Sequence, residues 1–111
     1  MMIEEIVYNY LKDKLSAPVF VFKQDQMPDR FVYLEKTSGA EKEHLPNATI
    51  AFQSYGLSLF DAASLNEEVK KVVKNMIELS GISAVKLNAD YNYTDIQSKK
   101  YRYQAVFDIY Y

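Results

Sequence analysis

At 111 residues, with 49% hydrophobic and 25% charged side chains, the chain has the length of one domain and enough apolar content to close a single core. Its net charge of -2 supplies no global positive field for duplex DNA or an anionic membrane. The absence of cysteine excludes disulfides, thiolate nucleophiles and thiolate metal sites, and fits a reducing compartment.

Residues 2–15 place Ile3, Ile6, Val7, Tyr10, Leu11 and Leu15 at helical spacing, with Glu4, Glu5, Asn9, Lys12 and Asp13 between them, which predicts an amphipathic helix ended by Ser16-Ala17-Pro18. Its acidic start is unlike a secretory signal, and no apolar run nears the ~20 residues of a bilayer span, so a soluble protein made in the cytoplasm is expected. Val19-Phe20-Val21-Phe22 reads as a strand covered on both sides. A polar connection, residues 24–28, leads to a second strand at residues 31–35, with Pro28 at its entrance. Residues 37–47 hold Gly39, Glu41, Lys42, Glu43, His44 and Pro46 with Leu45 as their one large apolar side chain. They read as a long loop, either flexible or a contact element.

Residues 48–55 resume strand character and end at Gly56. Ser58 and Asp61 then have the spacing of a capping box, with Asp in place of the usual Glu. The helix that follows carries Leu65, Val69, Val72, Met76 and Leu79 on one side and Glu67, Lys70, Lys71, Lys74 and Glu78 on the other, with Gly81 as its predicted C-cap. Residues 83–91 alternate, placing Val85, Leu87, Ala89 and Tyr91 on one face. A polar turn at residues 92–100 leads into the cleanest alternation of all: Tyr101, Tyr103, Ala105, Phe107, Ile109 and Tyr111 against Arg102, Gln104, Val106, Asp108 and Tyr110. Such a strand is expected to be paired rather than frayed. The order α-β-β-β-α-β-β predicts an α+β domain, a mostly antiparallel sheet with two helices packed on one side.

Little in this pattern points to catalysis. His44 is the only histidine, so neither a two-histidine metal site nor a His-activated nucleophile can be built within one chain. Glu41 with Glu43, and Asp90 with Asp95, lie in segments expected to be solvated, whereas catalytic carboxyl pairs need fixed geometry and unequal surroundings. Gly39, Gly56 and Gly81 are isolated and form no phosphate loop. No enzyme, metal or cofactor is therefore expected. Tyr occurs ten times, and Tyr91, Tyr93, Tyr101 and Tyr103 lie near Lys99, Lys100 and Arg102, a combination that could stack single-stranded bases. The competing reading has inward aromatics filling the core and outward ones forming a protein interface, and the acidic net charge favours it. Lys70, Lys71 and Lys74 read as the wet side of a helix.

Taken together, Thr49-Ile50-Ala51-Phe52-Gln53-Ser54-Tyr55, Ala62-Ala63-Ser64-Leu65-Asn66-Glu67-Glu68-Val69, Asp90-Tyr91-Asn92-Tyr93-Thr94-Asp95 and Tyr101-Arg102-Tyr103-Gln104-Ala105-Val106-Phe107-Asp108-Ile109 resemble the tail completion, or tail-to-head joining, proteins of long-tailed phages. The resemblance covers residues 49–111 and extends to residues 1–36 mainly in order and character. It implies a structural virion or prophage protein at the head-tail junction, present in the host cytoplasm before assembly and associating into a ring, hexameric in such families. Its implied partners are a tail-tube protein and a head connector, with phage DNA nearby and no membrane. Related tail terminators stop growth of the tail tube, which is the nearest alternative. The rivals from other classes are a small single-stranded nucleic-acid-binding module and a host regulatory adaptor. For the ring protein the interface candidates are Glu41, Lys42, Glu43 and His44 in the first long polar segment, and Tyr93, Asp95, Lys99, Lys100 and Arg102 around the second.

Overall fold

Alternate residues of three neighbouring strands turn apolar side chains toward two helices in the computed structural model, which describes residues 2–42 and 45–111. The elements are α1 (Ile3–Leu11), β1 (Val19–Phe20), β2 (Phe31–Lys42), β3 (Leu45–Gly56), α2 (Leu59–Lys74) with a 3-10 turn at Asn75–Glu78, β4 (Ala84–Asn92) and β5 (Tyr101–Tyr110). The sheet order is β1-β2-β3-β5-β4, antiparallel throughout except for the short parallel pairing of β1 with β2. This is the expected α+β fold and element order. Val32 and Leu34 of β2, Ala48, Ile50 and Phe52 of β3, and Ala105, Phe107 and Ile109 of β5 form the inner face. Ile3, Val7 and Leu11 of α1 and Leu65, Val69 and Val73 of α2 close over it, with Met76 from the 3-10 turn.

Several boundaries differ from expectation for physical reasons. α1 stops at Leu11, where the chain tightens into a turn with the Lys14 N–H donating to the Leu11 carbonyl at 2.9 Å. β1 has two residues; Phe22 is exposed beyond it. Residues 37–47 are not a long loop, because β2 continues to Lys42 and β3 begins at Leu45, paired from Lys36↔Ile50 to Lys42↔Leu45 with a bulge between Lys36 and Ser38. Residues 35–39 are all exposed, so this part of the strand is held by its backbone ladder and carries no apolar alternation to betray it. Glu43 and His44 lie outside the described residues. Twelve residues at ~3.3 Å each span ~40 Å, which accounts for the 42 Å long axis of the molecule.

Gly81 does not cap α2. None of the described glycines has a positive φ, and the helix instead tightens at Asn75, whose N–H is shared between the Val72 and Val73 carbonyls. The buried stripe of α2 runs from Ala62 through Leu65 and Val69 to Val73 in regular helical steps, so Val73, rather than Val72, is fully buried; Val72 packs at the margin of the core. In β4 a bulge between Leu87 and Ala89 inserts one residue and reverses the phase of the strand. Val85 and Leu87 pair with Ile109 and Phe107 on the inner side, but Ala89 and Tyr91 pair with Val106 and Gln104 on the outer side. The four residues expected to share one face are therefore split between two.

One polar contact links α1 to the end of the α2 segment. The Tyr10 hydroxyl donates to Glu78 Oε1 at 2.8 Å, and burial together with that carboxylate pushes the Tyr10 pKa up to about 12. Because the folded value exceeds the unfolded one, this contribution is complete below the ordinary phenol value and is lost as pH rises toward 12. In alkaline titrations the wild type should therefore lose stability above about pH 10 more steeply than Tyr10→Phe; parallel curves would show that Tyr10 ionises without penalty. Val73→Asp should destabilise the fold by on the order of 4 kcal/mol, and Val72→Asp by clearly less, in urea unfolding. Equal losses would contradict the helix phase described above.

Candidate assembly surfaces

The β4–β5 turn is built by its own side chains. Asn92 Oδ1 accepts from the Thr94 N–H at 3.0 Å and the Thr94 hydroxyl at 2.7 Å, which starts an Asx-type turn. Asp95 Oδ1 accepts from the Gln97 N–H at 3.1 Å and Oδ2 from the Ser98 hydroxyl at 2.8 Å, and these bonds hold its carboxyl below the usual range. A bridge between Asp95 and Lys100 closes the turn, with Lys99 at φ 56 in the left-handed region. The polar turn expected at residues 92–100 is thus pre-shaped.

Beside this turn lies a pocket of about 240 Å³, bounded by Met27, Pro28 and Asp29, by Phe31 and Tyr55, and by Lys99, Lys100 and Tyr101. Phe31 and Tyr55 stack with centroids 4.3 Å apart and rings 13° from parallel, forming its floor. Gly56 is required where β3 turns into α2, since a Cβ there would sit 2.4 Å from the Ala62 nitrogen. Ser58 accepts from the Asp61 N–H at 3.1 Å as the cap of α2, as its spacing predicts. Asp61 reaches back to the Leu57 N–H at 2.9 Å and accepts from Arg30 Nε at 3.0 Å. The Leu57 amide, and after it Arg30, hold the Asp61 carboxyl below its ordinary value against the opposing effect of burial. Arg30 also donates to Ser16, and Ser16 in turn donates to Glu68 of α2. The segments before β1 and β2 are thereby tied to the first half of α2 and to each other.

This end of the molecule also exposes large apolar side chains. Leu57 is 67% exposed, Phe60 86% and Ile96 85%, and they lie on the β3–α2 junction, the first turn of α2 and the β4–β5 turn. None was singled out in the sequence. Their signal was available: Phe60 falls off the buried stripe of Ala62, Leu65, Val69 and Val73, so it has no core to enter.

The sheet face away from the helices carries a directed chain of hydrogen bonds across three strands. Arg102 Nη1 donates to the Tyr55 hydroxyl at 2.9 Å, Tyr55 to Gln53 Oε1 at 3.0 Å, and Gln53 Nε2 to Gln104 Oε1 at 2.9 Å; Gln104 then donates to the Tyr91 hydroxyl. Arg102 also donates to the Tyr93 carbonyl and lies 4.3 Å from the centroid of the Tyr93 ring. Its guanidinium is therefore committed to the sheet.

Tyr93, Asp95, Lys99, Lys100 and Arg102 share one end of the sheet, whereas Glu41 and Lys42 belong to the far end of β2. The nine register steps of β3 from Pro46, opposite Glu41, to Tyr55, opposite Arg102, separate the two groups by roughly 30 Å. Among the described residues no three His, Cys, Asp or Glu side chains converge as a metal site, and no helix is long and apolar enough to cross a membrane. No protein-family model and no curated protein matches the chain.

Asp61→Ala should cost about 1 kcal/mol, the scale of a lost helix-start bond and a half-exposed ion pair. Since the folded carboxyl is depressed, this contribution is present above its ordinary value and lost as pH falls through the lower one. The variant's stability should consequently converge with that of the wild type in acid; a gap that persists there would assign the loss to packing.

Proposed function

We propose that this protein is a non-enzymatic joining protein of a phage or prophage particle, linking the tail to the head connector as a ring at the head-proximal tail end. The observation that carries the reading is the two-ended surface. One end presents exposed Leu57, Phe60 and Ile96 beside a pre-shaped turn, and roughly 30 Å away the other end is the polar β2–β3 hairpin. A subunit that must touch two different bodies needs two chemically distinct ends on a rigid frame, and exposed large apolar side chains at one end offer a partner protein something to bury. The resemblance of residues 49–111 to tail completion proteins supplies the identity of those bodies: a tail tube and a head connector, with phage DNA close by.

The nearest alternative within this class is a tail terminator, which uses the same ring to stop tube growth. A nucleic-acid module is less well supported, because Arg102, the cation best placed over the tyrosines, already donates to Tyr55 and Tyr93. Lys99 and Lys100 remain beside the pocket as the cations such a module would use.

Deleting the reading frame from its genome, inducing particles and imaging the lysate by electron microscopy tests the proposal. Filled heads beside unjoined tails of normal length are the expected outcome, and abnormally long tails would move the role to termination. Intact infectious particles would overturn it.

A further inference from the structure

The sheet has two open edges. β1 covers β2 only at Val32 and Tyr33, so from Leu34 onward β2 is an edge strand, and β4 forms the edge at the opposite side. Edges of this kind template pairing with another chain unless something blunts them.

From these two edges we infer that the β4 edge of one copy pairs with the β2 edge of the next, extending the sheet from subunit to subunit. The inference rests on the self-association proposed above and specifies its contact. Strand direction permits it: β2, β3, β5 and β4 alternate in sense, so a second copy presented with its helices on the same side brings β4 antiparallel to β2. The contact is heterologous, leaving one β2 edge and one β4 edge free on any open assembly, and so closes only as a ring.

The two edges are also chemically matched. Beside β2 lies a groove of about 340 Å³ under the start of α1, lined by Met2, Glu4, Glu5, Val21, Leu34 and Glu35 among others. Met2 is 60% and Val21 41% exposed there, and Oε1 of Glu4 is buried without a hydrogen-bond partner. On β4, Leu87 is 41% exposed and faces the helix side, the side of the groove, while its neighbour Lys86 faces the outer side, as Glu35 does on β2. Lys70 of α2 bonds Asp90 of β4, and exposed Lys74 lies one turn further along the same helix face. In the register that sets Lys86 against Glu35, Lys36 on the helix side of β2 faces the apolar Val85, and Lys74 is carried toward Glu4 and Glu5 of the neighbouring α1, so the cations of β4 and α2 meet carboxylates. Bulges after Lys36 and after Leu87 confine the regular part of each edge to a few residues. That limits the strength of a single contact and disfavours indiscriminate strand addition.

The chain's lack of cysteine makes the test clean. Exposed Glu35→Cys and Lys86→Cys variants, checked for native circular dichroism, are treated with a short bismaleimide separately and as an equimolar mixture, both as concentrated protein and in purified particles. Dimeric product from the mixture, with little from either variant alone, is expected. In chains without the cysteines, Glu35→Lys should abolish the self-association that sedimentation of the concentrated protein reads, and adding Lys86→Glu to the same chain should restore it. Products from single variants only would assign a symmetric edge-to-edge dimer and overturn the inference, as would the absence of mixed product in both preparations. Because the concentrated protein reports edge pairing without any virion, this result is separable from that of the deletion experiment.

Discussion

The pairing of β3 with β5 fixes what every other part of this molecule can reach. Ten consecutive residue pairs, from Asn47↔Tyr110 to Gly56↔Tyr101, place two strands distant in sequence side by side at the centre of the sheet. On the inner face this sets Phe52 edge-on to Phe107, with ring centroids 5.8 Å apart beneath the helices. On the outer face the same register sets Gln53 against Gln104, where their side-chain amides bond. A slip of one residue would carry Phe107 to the outer face and Gln104 into the core, so the apolar inner face specifies the polar outer chain as well.

The bulge in β4 shows how one inserted residue serves both faces. Without it, Tyr91 would turn toward α2 and Asp90 outward. With it, Asp90 accepts from Asn66 and Lys70 on the helix side, while Tyr91 accepts from Gln104 on the other. Asp90, and then Glu67, raise the pKa of Lys70 against the opposing effect of burial, which keeps this cation charged at the edge of the helix layer. The irregularity thus converts a strand whose alternation suggests one apolar face into one that anchors α2 by polar contacts.

How far the sequence could be read follows from which features leave a side-chain signature. The α2 cap, the β5 alternation and the α+β order were legible because each rests on side-chain chemistry or apolar periodicity. Residues 37–42 were not, because this stretch is held by its backbone pairing with β3, and residues 35–39 are exposed, so no apolar alternation marks it. The phase of β4 was hidden for a related reason: Asn88, beside which the register shifts, looks like an ordinary outward polar residue. Of the candidate site, the turn residues Tyr93, Asp95, Lys99, Lys100 and Arg102 were visible as a polar and aromatic run. Their neighbours Tyr55 and Phe31 were not, since only the β2–β3 and β3–β5 registers bring those segments together.

A protein that assembles on demand must carry contact surfaces without sticking to itself beforehand. Under the ring reading proposed above, those surfaces would be of two kinds. The apolar side chains Leu57, Phe60 and Ile96 project singly from a rigid end, where a complementary partner can bury them but a flat surface gains little. The sheet edges are bulged and carry charges, so under the same proposal each pairing would be short and would depend on the matching sign of its neighbours. Weak contacts of this kind become strong only when several close together, as they do around a ring or against a preformed end. Polar, interrupted edges are in this light compatible with assembly: they make association conditional on geometry.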